Sequence, residues 1–96
     1  MGVYKVSRKA EMDLAKMYEY GIETFGLKQA KDYLLGMHTL FQVLADNTNL
    51  GRDASEFILS LKRFSYKSHT IFYITTYIDI LIVRVLNQSM NYEKNL

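Results

Sequence analysis

The chain has 96 residues, a net charge of +2, and 49% hydrophobic and 23% charged residues. This length supports one hydrophobic core, so we expect a single domain over residues 1–96. The absence of cysteine and the presence of only two histidines exclude a disulfide framework and a structural zinc site. No apolar run approaches the ~18–20 residues of a membrane span, so we expect a soluble, cytoplasmic protein.

The first half of the chain has the periodicity of helices. Residues 3–7 predict a short strand, and from Ala10 to Phe25 apolar residues recur at spacings of three and four, with Ser7 placed as the N-cap. We predict one helix over residues 8–25 and a second to about residue 46, with Gly26 as the C-cap between them. Because this connection is so short, the helices must form an antiparallel hairpin.

The second half has the composition of strands. After polar turn residues at 46–52, the segments 57–66, 69–77 and 79–86 are rich in Ile, Phe, Tyr, Thr and Val. The short gaps between them predict a three-stranded antiparallel meander. The order β-α-α-β-β-β predicts an α+β fold in which the helical hairpin covers one face of the sheet and leaves the opposite face open.

The chain lacks the motifs of common enzymes, but basic and aromatic residues gather on the first hairpin of the meander. A period of two places Arg63, Ser65 and Lys67 on one face, while His69 beside the turn fits either a structural or a chemical role. The same period places four residues of the final strand on one face: Ile80, Ile82, Arg84 and Leu86. These arginines are interpreted either as contacts for an anion or partner, or as cations paired within the fold.

Five segments occur in an order typical of one family: YKVSRKAEMDL, YGIETFGLKQAKDYL, LADNTNLGRD, LKRFSYKSHTIFYI and ILIVRVLNQSMNYEKNL. Through them, about 90 residues of the chain resemble the ParE branch of the RelE/ParE toxin–antitoxin superfamily. Two positions depart from the family pattern. Thr48 stands where a proline is usual, and Asn87 stands where many members have histidine.

The resemblance implies a non-enzymatic toxin that traps the cleavage complex of DNA gyrase and blocks replication. Asn87 cannot transfer a proton at neutral pH, and Tyr92, five residues further on, is a poor substitute because a tyrosine ordinarily has a pKa of about 10, so we expect no catalytic residues. We also expect no metal and no cofactor. The alternative is a RelE-like, ribosome-dependent mRNA endoribonuclease, and a third interpretation is a toxin-derived protein that only binds its antitoxin. The residues expected to face the target are Arg63, Tyr66, Lys67, Arg84, Asn87, Met90 and Tyr92.

The resemblance also implies a ParD-like antitoxin, part of which would fold on the toxin as a helix and a strand. The apolar stripe of the helical hairpin serves mainly as core, but some of its residues and neighbours could contact this partner. The candidates are Tyr18, Tyr20, Tyr33, Met37 and Val43. We expect no membrane partner, no small-molecule substrate and no direct nucleic-acid specificity.

Overall fold

The computed structural model describes residues 2–96 and contains the predicted α+β arrangement, with two short additional elements. The elements in chain order are β1 (Tyr4–Val6), α1 (Arg8–Phe25), α2 (Leu27–Asp46), β2 (Arg52–Asp53), β3 (Leu61–Tyr66), β4 (His69–Thr75), β5 (Ile80–Asn87) and α3 (Tyr92–Asn95). The additions that the sequence did not predict are β2 and α3. Within residues 2–96 no helix is both long and apolar enough to cross a membrane.

The helical hairpin has the predicted bounds and caps. The Ser7 side chain accepts a hydrogen bond from the backbone N–H of Ala10 at 3.0 Å, which satisfies an otherwise unpaired donor of the first turn. Gly26 ends α1 with a φ of 96°, a conformation that glycine adopts without steric cost. A Cβ atom at Gly21 would lie 3.1 Å from the Cβ of Ala30, so glycine allows the two helices to approach closely.

The sheet has the strand order β1-β5-β4-β3-β2. The first strand pairs parallel to β5, and the other neighbours are antiparallel, so β1 and β2 form the two edges. The third strand begins at Leu61 and not at residue 57, because residues 57–60 form turns in which Ser60 has a φ of 68°. The meander is therefore confirmed, with β3 and β4 shorter than predicted.

A bulge interrupts the pairing of β4 with β5. Phe72 lies opposite Arg84 and Tyr73 lies opposite Ile82, which leaves Val83 as an extra residue on β5. An extra residue shifts the alternation of side chains that follow it to the other face.

The prediction that four β5 residues share a face is wrong because of this bulge. Ile80 and Ile82 belong to the core under the helices, whereas Leu86 belongs to a second core.

The two faces of the sheet each carry a buried cluster. The larger cluster lies beneath the helices and includes Ala10, Leu14, Met37, Phe41, Leu44, Ile71, Tyr73, Ile80, Ile82 and Val85. The smaller one lies on the opposite face and consists of Ala54, Leu61, Phe72 and Leu86, with Phe57, Ile74, Val83, Tyr92 and Leu96 packed against it. The prediction of an open second face is wrong for this part of the sheet, because the segment after β2 and the C-terminal residues cover it.

Candidate functional site

Arg84 is held inside the fold. Its guanidinium donates to both carboxylate oxygens of Asp13 on α1, each at 2.8 Å, and also to the backbone carbonyl of Asn95 in α3. The Arg84 and Asp13 side chains are only 16% and 12% exposed. The hydrogen bonds to Asp13 raise the pKa of Arg84. The paired structural arginine, one of the two sequence interpretations, therefore describes this residue.

The turn between β3 and β4 packs against α2. Lys67 has a φ of 52°, and its ammonium group lies 5.4 Å from the ring centroids of both Tyr33 and Tyr66. These distances are within the range of cation–π attraction. Tyr66 belongs to the helix-facing core, so Lys67 lies on the helix side of the sheet. The prediction that Lys67 shares a face with Arg63 is wrong, because the positive φ at Lys67 breaks the alternation.

His69 joins the same cluster. Its Nδ1 lies 2.8 Å from the hydroxyl of Tyr33, and the two rings meet edge to face. Burial lowers the pKa of His69 below its ordinary value, and the negative charge of Asp13 only partly opposes this shift. The imidazole is therefore neutral at pH 7. The sequence left the role of His69 open, and its contact with Tyr33 is a tertiary feature that no local pattern shows.

Two arginines meet on the opposite face, at the far edge of the sheet. The β2–β3 register places Arg52 directly across from Arg63, whereas the next pair, Asp53 and Lys62, has opposite charges. Within residues 2–96 neither guanidinium forms an ion pair with a carboxylate or a side-chain hydrogen bond. Like charges directly opposite each other destabilise a sheet. Arg52 was not among the predicted site residues, because only the strand register brings it opposite Arg63.

These arginines line an open groove of about 530 Å³, which we call the arginine groove. Its walls include Leu50, Arg52, Arg63, Ser65, Thr70 and Tyr92. The hydroxyls of Thr70 and Tyr92 lie 2.9 Å apart, and Gln88, which also lines the groove, donates to the backbone carbonyls of Lys67 and His69. The groove thus combines two unpaired cations with several hydroxyl groups.

The predicted target-facing residues near the C-terminus have different environments. The Asn87 side-chain oxygen accepts hydrogen bonds from the N–H and the hydroxyl of Ser89, which closes a turn after β5. Met90 is exposed. Tyr92 packs edge to face on Phe72 in the second core and reaches the arginine groove with its hydroxyl.

A second groove lies between the helices and the end of β1, and we call it the helix groove. It encloses about 330 Å³ and is lined by Val6, Glu11, Leu14, Ala15, Tyr18, Leu34 and His38. Its surface is mostly apolar. Of the five residues predicted to contact an antitoxin, Tyr18 is the one that lines it.

The other four predicted antitoxin contacts are dispersed. Met37 is fully buried in the helix-facing core, so it cannot contact a partner without unfolding. Tyr33 is half-buried against His69, while Tyr20 and Val43 are exposed on the helices outside the helix groove. The predicted set does not form one surface.

The chain matches a family model over residues 4–92, described as the ParE toxin of the type II toxin–antitoxin system parDE. It is 31% identical over 91 residues to Toxin ParE1 of Caulobacter vibrioides, covering 95% of this chain and 94% of that protein. It is 32% identical over 94 residues to Toxin ParE1 of Mycobacterium tuberculosis, covering 97% and 96%. The family model covers all the residues that line the two grooves.

A solved structure described as the chromosomal ParDE toxin–antitoxin system from P. aeruginosa has a similar fold, with a TM-score of 0.78. It is 18% identical, and the match covers 91% of this chain and 96% of that one. The fold and the sequence matches together define a toxin of a type II toxin–antitoxin system. Within that class, the chain belongs to the ParE toxin family.

Proposed function

We propose that this chain is a non-enzymatic poison of DNA gyrase, which traps the gyrase–DNA cleavage complex and blocks replication. The observation that carries the proposal is its membership of the ParE family over residues 4–92. Poisoning of this kind requires only binding, because a protein that binds the cleaved state more tightly than the resealed state increases the population of the cleaved state. A shift from 1:99 to 99:1 requires a preference of about 10⁴-fold.

The geometry supports binding more than catalysis. General acid–base chemistry requires a proton-transferring group and phosphate-binding cations to reach the same reacting group. Here the unpaired Arg52 and Arg63 lie on one face of the sheet, and the neutral His69 lies on the other. Arg84 is paired with Asp13, and Asn87 has no titrating group. The hydroxyl of Tyr92 does share the arginine groove with these two cations, where it is hydrogen-bonded to the hydroxyl of Thr70. The other components that a nuclease would have to combine are separated.

A ParD-like antitoxin is the proposed partner, bound along α1, α2 and β1. The helix groove offers a mostly apolar surface to which an amphipathic helix could bind. Within residues 2–96, β1 pairs only with β5, so its other edge has no partner strand. An unpaired strand edge can accept an added strand through backbone hydrogen bonds. Val6 belongs to β1 and also lines the helix groove, so one continuous peptide could occupy both. The similar solved structure is itself a toxin–antitoxin system.

Controlled expression in a sensitive bacterium tests the target. Poisoned gyrase causes DNA breaks and filamentation while protein synthesis continues, so labelled thymidine incorporation should fall before labelled methionine incorporation does. The antitoxin is expected from the gene next to the one that encodes this chain, and co-expression of that gene should prevent both effects. Translation that stops first would contradict the proposal and favour the mRNA endoribonuclease. The absence of any growth effect would favour a chain that only binds its antitoxin.

Calorimetric titration with that gene product tests the antitoxin surface. We expect Tyr18→Ala to weaken binding at least tenfold, because Tyr18 supplies aromatic area to the helix groove. The matched control is Tyr77→Ala, since Tyr77 is fully exposed beyond the end of β4. Equal losses of affinity in the two variants would place the antitoxin elsewhere.

A further inference from the structure

Arg52 and Arg63 form a cross-strand pair that the fold itself does not use. Their side chains lie directly opposite each other on the face away from the helices, and within residues 2–96 neither has an anionic partner. In contrast, each of the three guanidinium nitrogens of Arg84 donates a hydrogen bond to Asp13 or Asn95. Two guanidiniums that line one groove without an anionic partner repel each other unless an anion lies between or across them.

The groove around this pair supplies further donors. Ser65 lies two residues after Arg63 on the same face of β3, so the two side chains are about 7 Å apart along the strand. The Ser65 hydroxyl forms no hydrogen bond within residues 2–96, and Thr70 lies across from it on β4. A single ligand that satisfies both Arg63 and Ser65 must therefore present two acceptor groups spaced several ångströms apart.

We propose that the arginine groove binds the phosphodiester backbone of DNA without reading its base sequence. A phosphodiester strand carries regularly repeated anionic oxygens, and arginine binds phosphate through two parallel N–H bonds. The amide of Gln88 could in principle read a base edge, but its donors are used by two backbone carbonyls. This inference goes beyond the gyrase proposal, because it assigns a direct contact between this chain and DNA.

A binding measurement without gyrase tests the inference. A short fluorescently labelled DNA duplex is titrated with the full chain, and anisotropy is followed as the salt concentration rises. Two phosphate contacts give a slope of log K against log salt of about −1.8, or an affinity loss of about twelvefold between about 50 and 200 mM salt. Shuffling the base sequence should leave the affinity unchanged.

Variants that remove one positive charge show which arginines contact the DNA phosphates. Arg63→Gln and Arg52→Gln should each reduce the slope to about −0.9, which corresponds to a loss of roughly 3.5-fold over the same salt range. Arg8→Gln is the matched control, because Arg8 follows β1 at the opposite edge of the sheet and is exposed. Arg63→Lys keeps the charge without the planar fork, so it should keep the slope but bind more weakly than the native chain.

Several outcomes would overturn the inference. The absence of DNA binding at low salt, or an equal change of slope in Arg8→Gln and Arg63→Gln, would show that the groove does not hold DNA. A glutamate-rich peptide that competes as well as DNA at equal charge would assign the groove to a carboxylate partner. Circular dichroism of each variant confirms its fold, and Arg63→Lys provides the test if a charge-removing variant does not fold. Because gyrase is absent, the result does not depend on the proposed gyrase target.

Discussion

Removing the Asp13 carboxylate should strongly destabilise the protein, because Asp13 is one member of a largely buried ion pair. Asp13 accepts two hydrogen bonds from Arg84 and a third from the backbone N–H of Val85 at 3.0 Å. Asp13→Asn removes the negative charge and replaces one acceptor oxygen with an N–H donor, so the largely buried guanidinium keeps only neutral acceptors, the asparagine oxygen and the Asn95 carbonyl. Removing one member of a buried ion pair costs about 3–5 kcal/mol, so we expect a loss of about 3 kcal/mol with the polar asparagine in place.

That loss is large compared with the total free energy of unfolding of a small domain, roughly 5–15 kcal/mol. At about 4–8 °C per kcal/mol for a domain of this size, the midpoint of thermal unfolding should fall by about 12–24 °C. Differential scanning calorimetry measures the shift directly.

An exposed ion pair on the same helical hairpin provides the control. Lys28 and Asp32 are one helical turn apart on α2, and their side chains are 92% and 63% exposed. Exposed pairs of this spacing contribute about 0.3–0.5 kcal/mol, so Asp32→Asn should barely change the midpoint. If Asp13→Asn lowered the midpoint no more than Asp32→Asn, the buried pair would not hold α1, β5 and α3 together.

Three further results are expected. Burial lowers the folded-state pKa of His69 below the unfolded value of about 6.5, so the contribution of the neutral imidazole to stability is complete above that pH and is lost as the pH falls through the folded pKa. The urea midpoint of the native chain should therefore decline below about pH 6.5, and the midpoint of His69→Gln should decline less. Tyr73→Phe leaves the N–H of Gly51 without its 2.9 Å partner and should cost about 1–3 kcal/mol in the same assay, whereas no loss would show that water replaces the hydroxyl. Arg63→Gln removes the repulsion from Arg52 and should raise the free energy of unfolding by about 0.2–1 kcal/mol at low salt, and a lower value would mean that the pair stabilises the free protein.

Local signals in the sequence were sufficient for the helical hairpin. The Ser7 cap and the Gly26 break depend on residues within one helical turn, so their roles can be read without tertiary information. The meander was predicted for the same reason, since its strands are joined by short turns.

Long-range features could not be predicted in the same way. The extra residue at Val83 reverses the alternation of β5, and no composition marks it. The partner of Arg84 is 71 positions earlier in the chain, and Arg52 meets Arg63 only through the register of a two-residue strand. The predicted site residues consequently lie on two faces of the sheet, with Arg63 on one face and Lys67 and His69 on the other.

A cleavage assay tests the poisoning of gyrase: the purified chain is incubated with DNA gyrase and relaxed plasmid, the protein is denatured, and the DNA is separated on a gel. We expect linear plasmid that increases with the concentration of the chain and disappears when the antitoxin is added. Supercoiling that proceeds normally, with no linear plasmid at any concentration of a folded chain, would contradict it.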